Sequence, residues 1–388
     1  MWFSGNAEIY RFQHIEVKSI TSRITWGNSS APFGPSQVIS PLEFVYAAMR
    51  ASITGPRLGL RGHLAGGALA VSALSYLSKW RPGAVYGPAF GDLFYHKNAR
   101  YLKDFIGSTV KGTVGAALTF LEMQSRGYPW FGHWEDCSNS ESTKAHPDFV
   151  YASSLDVCLV DAKGSASSFW SVMDRVKDEW REQILANAHI PLAFGGTATE
   201  GRVIAAALSR STGTGLISAY GRLPELVGPL KSRPTYLLPY NPAHFAVQRA
   251  HFISVFFLLG LNSLAFCLLN PSQQSWSRAL TERDDALQAV QRVVDGHGVY
   301  VGPARLSFQA GSNTWTMRLY AREHVIRDAS DRLLLDRPEL VETPMVRQRP
   351  QADQIIALEA EDAPGEVLVE SADGVGAIFS RTATDGQS

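Results

Sequence analysis

The sequence predicts an α/β fold: a mixed-sheet module near the middle of the chain, with further structure on either side. Three observations lead there. Between residues 98 and 220, apolar runs of strand length alternate with stretches of helical periodicity. Glycine- and serine-rich clusters separate them at the spacing of short connections. The 388 residues are 45% hydrophobic and 19% charged, enough to bury a sizeable core in more than one folded unit.

Residues 1–95 read as a mixed α/β region with no assigned role. Ile9 to Ile20 is rich in β-branched and aromatic residues, which predicts strand, and Gly27 to Ser36 predicts turns. Pro41 to Ser52 predicts a helix, because proline near a helix start sacrifices only an amide that would be unpaired anyway. His63 to Trp80 is Ala/Leu/Ser-rich and predicts a second helix, followed by a loop over Gly83 to Gly91.

The central module is placed at 96–245. A helix is expected from Asn98 to Arg126, broken near Gly107 and stopped at Gly127, a residue suited to a left-handed cap. Short strands are expected at Trp130 to Trp134, Phe149 to Ala152 and Val157 to Lys163. From Ser168 to Ala188, Trp170, Met173, Val176, Trp180 and Ile184 recur at helical spacing. Ile190 to Phe194 predicts a buried strand, Glu200 to Ser209 a helix, and Leu216 to Tyr220 a strand.

A third region, 246–340, combines an apolar segment with a β-hairpin expected over Val299 to Tyr320 around Gly311-Ser-Asn313. Phe252 to Leu269 runs 18 residues without a charge, the lower limit for a membrane span. Its Ser254, Gly260, Asn262 and Ser263, and the lack of a second such segment, favour a buried core or subunit-interface helix over membrane contact. A partner protein or a second copy of the chain would fit the interface form. Residues 341–388 form an acidic tail with weak periodicity, expected to be partly disordered.

Net charge is zero, but unevenly spread. Residues 351–388 hold eight acids against one base, Arg381, so the first 350 residues carry the balancing excess of seven positive charges. That body suits contact with phosphate. Cys137, Cys158 and Cys267 are widely spaced, which argues against a disulfide framework and points to a reducing cytoplasm. The first residues show no basic segment leading into an apolar run, so no secretory signal is expected.

The chemistry concentrates in His146-Pro-Asp-Phe-Val through Val160-Asp-Ala-Lys-Gly164. In an extended strand alternate side chains share a face, so Asp161 and Lys163 emerge together, just before a Gly-Ser turn. A short hairpin would return Asp148, at the start of the preceding strand, towards Asp161. Two carboxylates on neighbouring strands make a hard-oxygen pocket for Mg²⁺ or Mn²⁺, with the Ala162 backbone carbonyl as a further ligand. Phosphodiester hydrolysis needs an activated water, charge stabilisation at phosphorus and a neutralised leaving oxygen, which metal and ammonium together can supply.

Pro147-Asp148 followed thirteen positions on by Asp161-Ala-Lys163 resembles the PD-(D/E)xK motif of the restriction-endonuclease-like nuclease superfamily. The resemblance covers about residues 98–220, and Gly127-Tyr128 and Lys163-Gly-Ser165 are typical company for the motif. It implies a restriction-endonuclease-like core of helix, three strands, helix and strand. It also implies a magnesium-dependent nuclease acting on DNA, an endonuclease or exonuclease, with Asp148, Asp161 and Lys163 catalytic and Asp148, Asp161 and the Ala162 carbonyl holding the metal. Many family members add an acid from the first helix, here Glu122 or Asp104, and some exonuclease-like members a glutamine from the helix after the motif, here Gln183 with Lys177 and Arg181 beside it. For those last three, a solvated helix face with i to i+4 pairs is the competing reading.

Acid-x-Lys alone occurs by chance, and Glu16-Val-Lys18 is a second instance, without a helix and Pro-Asp strand before it. His133, Cys137 and His146 match no common zinc spacing, and the glycines at 195–201 and 213–215 lack a P-loop lysine. Trp130, Phe131 and Trp134 could stack on bases, but core packing suits them better. The contrasting reading for the whole chain is a non-catalytic interaction or membrane-associated protein that keeps a nuclease-like fold.

Overall fold

A computed structural model describes residues 2–20, 23–28, 34–51, 59–80, 91–138, 145–223, 242–270, 276–289, 292–310, 313–334, 358–360 and 363–382. The protein is a mixed α/β structure built on one large mixed sheet, a second antiparallel sheet and helices between and around them.

The N-terminal segment opens with β1 (Ala7–Ile20), β2 (Arg23–Asn28) and β3 (Gln37–Ile39). Helices α1 (Pro41–Ala51) and α2 (Gly59–Leu74) follow, then a small ribbon of β4 (Leu77–Lys79) and β5 (Leu93–Tyr95). The stretch expected to stay helical as far as Trp80 therefore turns into strand after Leu74, and most of the loop expected at 83–91 lies outside the described residues.

Next come α3 (Asp104–Ser125), β6 (Trp130–His133), the short α4 (Trp134–Cys137), β7 (Phe149–Ala152) and β8 (Val157–Ser165). Helix α3 runs through Gly107 without a break and ends as expected at Gly127, whose φ of +84° only glycine adopts cheaply. Then α5 (Phe169–Glu179) passes into a π turn over Trp180–Ile184 and a 3-10 turn over Leu185–Asn187. The strand expected at 190–194 is a turn, touching β structure only at a Leu192–Ser138 bridge.

The helix expected at 200–209 is β9 (Glu200–Ser209), paired along its whole length with β10 (Gly213–Arg222). Its Ala-rich composition favours helix, but it lies between β8 and β10 and is buried at every residue. A central strand covered on both faces selects small side chains, and that context overrides local propensity.

The large sheet runs in the order β2-β1-β10-β9-β8-β7-β6, with β3 also on β1. β8 and β9 are parallel, as are β1 and β10, and the other pairs are antiparallel. The N-terminal strands, expected in a separate region, are thus part of the same sheet as the central module.

The apolar segment is divided between α6 (Pro242–Leu258) and α7 (Asn262–Leu269), with most side chains buried in the main core. Among the described residues, no helix is long and apolar enough to cross a membrane. After α8 (Trp276–Ala289), the short β11 (Arg292–Val294) pairs with β12 (His297–Ala310), which forms the expected hairpin with β13 (Asn313–Arg322), and α9 (Glu323–Leu334) packs beside it. The tail expected to be partly disordered contributes β14 (Leu358–Ala360), β15 (Ala363–Glu370) and β16 (Val375–Thr382). They complete an antiparallel sheet in the order β11-β12-β13-β16-β15-β14. Cys137, Cys158 and Cys267 are buried free thiols.

Candidate active site

The site is set by how closely α3 approaches β8. A methyl group on Gly164 would collide with the Lys111 carbonyl oxygen, and one on Gly115 would come within 2.5 Å of the Gly164 amide nitrogen. Gly164 therefore faces α3, and by strand alternation Asp161 and Lys163 face the other side of the sheet, towards α5 and its π turn.

There Lys163 Nζ donates to Asp161 Oδ1 at 2.9 Å. The Asp161 side chain is 0% exposed, and its Oδ2 has no hydrogen-bond partner. The chance rival Glu16–Lys18 makes the same 2.9 Å contact on β1 with its side chains 48% and 56% exposed. Spacing alone gives both pairs their contact, but only the buried one is held where charge is expensive.

Asp148 returns through the β7–β8 hairpin as the sequence predicts. Its Oδ2 accepts a 2.9 Å hydrogen bond from the Ala162 amide. An extended residue sends its N–H and C=O to the same strand edge, so the Ala162 carbonyl also points to the β7 side. The β7–β8 ladder ends there at the Phe149–Val160 pair, which leaves that carbonyl beyond the last rung. Asp148, Asp161, Lys163 and the Ala162 backbone thus share one corner of the sheet.

The electrostatics follow from the crowding. Burial, and then the Asp148 charge, push the Asp161 carboxyl up to about 8, against the opposing pull of Lys163. Burial works against the Lys163 ammonium, but Asp161, Asp148 and Glu179 outweigh it and raise its pKa. The buried Asp161 carboxyl, with the Asp148 charge nearby, one oxygen on Lys163 and the other unpartnered among the described residues, forms a donor set short of positive charge. Hard oxygens in that state fit a divalent cation such as Mg²⁺ or Mn²⁺. Among the described residues, no group of three or more His, Cys, Asp or Glu side chains is placed to hold a metal, so any ion here would lean on the two aspartates, backbone and water.

One acid at this site was not singled out from sequence. Glu179, at the end of α5, has Oε2 3.8 Å from Lys163 Nζ and accepts a 3.0 Å hydrogen bond from Gln183 Nε2. Gln183 therefore belongs to the site at one remove, and its Oε1 is buried without a partner. The signal was available: residues four apart share a helix face, so the glutamine and Glu179 go together. By the same geometry Lys177 and Arg181 point away. Lys177 pairs with Asp174 at 3.6 Å, while Arg181 pairs with Asp178 at 3.0 Å and lies over the Trp26 ring at 5.1 Å.

Glu122 is not an auxiliary ligand. It lies on α3, across the sheet, and its oxygens are already taken by Arg11 at 2.9 Å, Gln37 at 2.8 Å and Arg126 at 2.6 Å. Asp104 is exposed in the first turn of α3. Cys137 is buried and His133 half-buried, and desolvation lowers the imidazole pKa and raises that of the thiol, which favours the neutral form of both. Trp130, Phe131 and Trp134 are likewise buried in the core and present no face to a base.

In comparison with known proteins, no family model matches the chain, and neither a curated protein nor a solved structure matches it.

Proposed function

We propose that the protein is a metal-dependent nuclease of the PD-(D/E)xK type that hydrolyses phosphodiester bonds of DNA with Mg²⁺ or Mn²⁺, in a reducing compartment such as the cytoplasm. The observation that carries this reading is the Asp161 carboxylate, fully buried, with one oxygen on Lys163 and the other unpartnered beside Asp148. Element order supports it too. α3, β6, β7, β8, α5 and β9 occur in chain order as helix, three antiparallel strands with the short α4 between the first two, helix and a strand parallel to the third, the order that the motif resemblance implies.

In this reading Asp148, Asp161 and the Ala162 carbonyl would hold the ion, and it would supply a lowered pKa for water and an offset to charge on the phosphoryl oxygens. Lys163, kept charged by its carboxylate neighbours, orients the attacking water and stabilises negative charge building at phosphorus. Glu179, tied by Gln183, holds the ammonium in place. The water oxygen bonds to phosphorus and gives up a proton to solvent, the bond to the leaving oxygen breaks, and that oxygen takes a proton from solvent. Genome defence or mobile-element biology would be a consistent setting, by family association alone.

The test is cleavage of plasmid and linear DNA by purified protein, with Mg²⁺ or with a chelator, beside Asp161→Asn and Lys163→Ala. Metal-dependent cleavage lost in both variants supports the reading, whereas equal activity in all three proteins sinks it.

A further inference from the structure

A cavity of about 360 Å³ opens where β8 and β9 end, beside the N-terminal half of α3. Its cationic lining comes from three separate parts of the chain: Lys97 after β5, Lys111 on α3 and Arg210 after β9. All three side chains are exposed, and among the described residues none of them forms an ion pair and no carboxylate lines the cavity. Surface cations usually find acids in a protein of balanced charge, as Arg175 and Lys177 do on α5 and Arg181 does in the π turn after it. In the wall, Tyr95 is buried with its hydroxyl unpartnered. An orphaned buried hydroxyl is costly unless a ligand or water completes it.

Two aromatic side chains stand out on the same segment. Tyr101 is 70% exposed and Phe105 is 72% exposed, either side of the lining residue Leu102. Exposed aromatics on the segment that also supplies the lining residues Lys97, Leu102 and Lys111 add to those cations the second of the two elements by which single strands are bound: charge for the backbone and flat faces for bases. The cavity lies within the ~300–1,000 Å³ range of pockets for small ligands, so a nucleotide fits inside and a duplex does not. Bases inside a duplex offer no free face to Tyr101 or Phe105.

We propose that this cleft binds a single-stranded segment of nucleic acid, with phosphates on Lys97, Lys111 and Arg210 and unpaired bases stacked on Tyr101 and Phe105. Ala166, also in its wall, is three residues beyond Lys163, a reach of at most ~11 Å along extended chain. The bound strand is therefore delivered around the end of β8 to Asp161 and Lys163. That last link rests on the nuclease reading; the binding surface does not.

The test is fluorescence anisotropy of a labelled oligothymidylate and of a blunt duplex of equal length, with the full chain, in chelator, across a salt series. The single strand is expected to bind more tightly than the duplex. Lys97→Ala/Lys111→Ala/Arg210→Ala should weaken it at least about tenfold and lower the log–log salt slope by about 2, from ~0.7 per phosphate contact. Tyr101→Ala/Phe105→Ala should lose about tenfold or more while keeping the wild-type slope. Lys97→Arg/Lys111→Arg should bind as wild type, which separates lost charge from lost folding. Equal or tighter duplex binding, or wild-type affinity in both alanine variants, overturns the proposal. Intact single-strand binding in a protein that cleaves nothing would sink the nuclease reading alone, and metal-dependent cleavage with no effect of the cleft variants on binding would sink this one alone.

Discussion

Arg50 Nη2 donates to Asp373 Oδ2 at 2.6 Å across 323 positions of sequence, and both side chains are buried. The pair joins α1 to the turn between β15 and β16. Tyr46 and Ser371 complete it, and His251 Nε2 lies 3.0 Å from the same Asp373 oxygen. Burial lowers the His251 pKa and favours the neutral ring, whose Nδ1 lies 3.3 Å from the Phe131 amide nitrogen. Although burial opposes its ionisation, Asp373 is held well below the usual carboxylate range by Arg50 and its hydrogen bonds. Removing one partner leaves a buried uncompensated charge, so Asp373→Ala should cost about 3–5 kcal/mol in urea unfolding. A loss below about 1 kcal/mol, the scale of an exposed pair, would contradict the linkage.

The Asp161 carboxyl gives a pH signature of opposite sign. Its folded pKa is raised to about 8 from the ordinary 3.8, so between those values the native protein holds a proton that the unfolded chain has released. Stability from this group is full below 3.8 and falls as pH rises towards about 8. In metal-free buffer Asp161→Asn should flatten that slope and melt higher than wild type at the alkaline end. Added Mg²⁺ should raise the wild-type melting temperature and leave the variant unmoved. Parallel pH slopes in the two proteins would refute the assignment.

Gly164 and Gly112 make a paired test of the contact between α3 and β8. Alanine at 164 meets the Lys111 backbone, which cannot swing aside, whereas alanine at 112 meets nothing within 4 Å. Gly164→Ala should therefore cost about 1–3 kcal/mol or more and disturb Lys163 with it. Gly112→Ala should stabilise by up to about 1 kcal/mol through helix propensity. Thermal melts of the two variants side by side decide this, and similar melting temperatures would count against the close approach.

On α5 the helix face should separate four neighbouring side chains by function. Glu179→Gln and Gln183→Ala remove support from Lys163, and loss of such outer partners typically costs about 10–100-fold. Lys177→Ala and Arg181→Ala break surface ion pairs and, for Arg181, a stacking contact with Trp26, all away from Lys163, and should cleave as wild type. Single-turnover cleavage at saturating Mg²⁺ measures all four; a uniform effect would remove Glu179 from the site.

Asp148, Asp161 and Lys163 were legible as a group from sequence because strand alternation and a short hairpin are local geometry: residues two apart share a face, and strands joined by a short turn lie adjacent. The helix end at Gly127 and the hairpin of β12 and β13 were legible for the same reason. What lay beyond reach was decided at long range. Glu200 to Ser209 is strand because β8 and β10 cover its edges and helices its faces. Glu122 is bound to Arg11 and Gln37 because β1 and β3 fold in beside α3. The acidic tail is ordered where β16 finds β13 and Asp373 finds Arg50. Spacing set which side chains of β8 could meet; the burial that distinguishes Asp161–Lys163 from Glu16–Lys18 came only from the packing around them, since desolvation belongs to the surroundings of a residue and not to its neighbours in the chain.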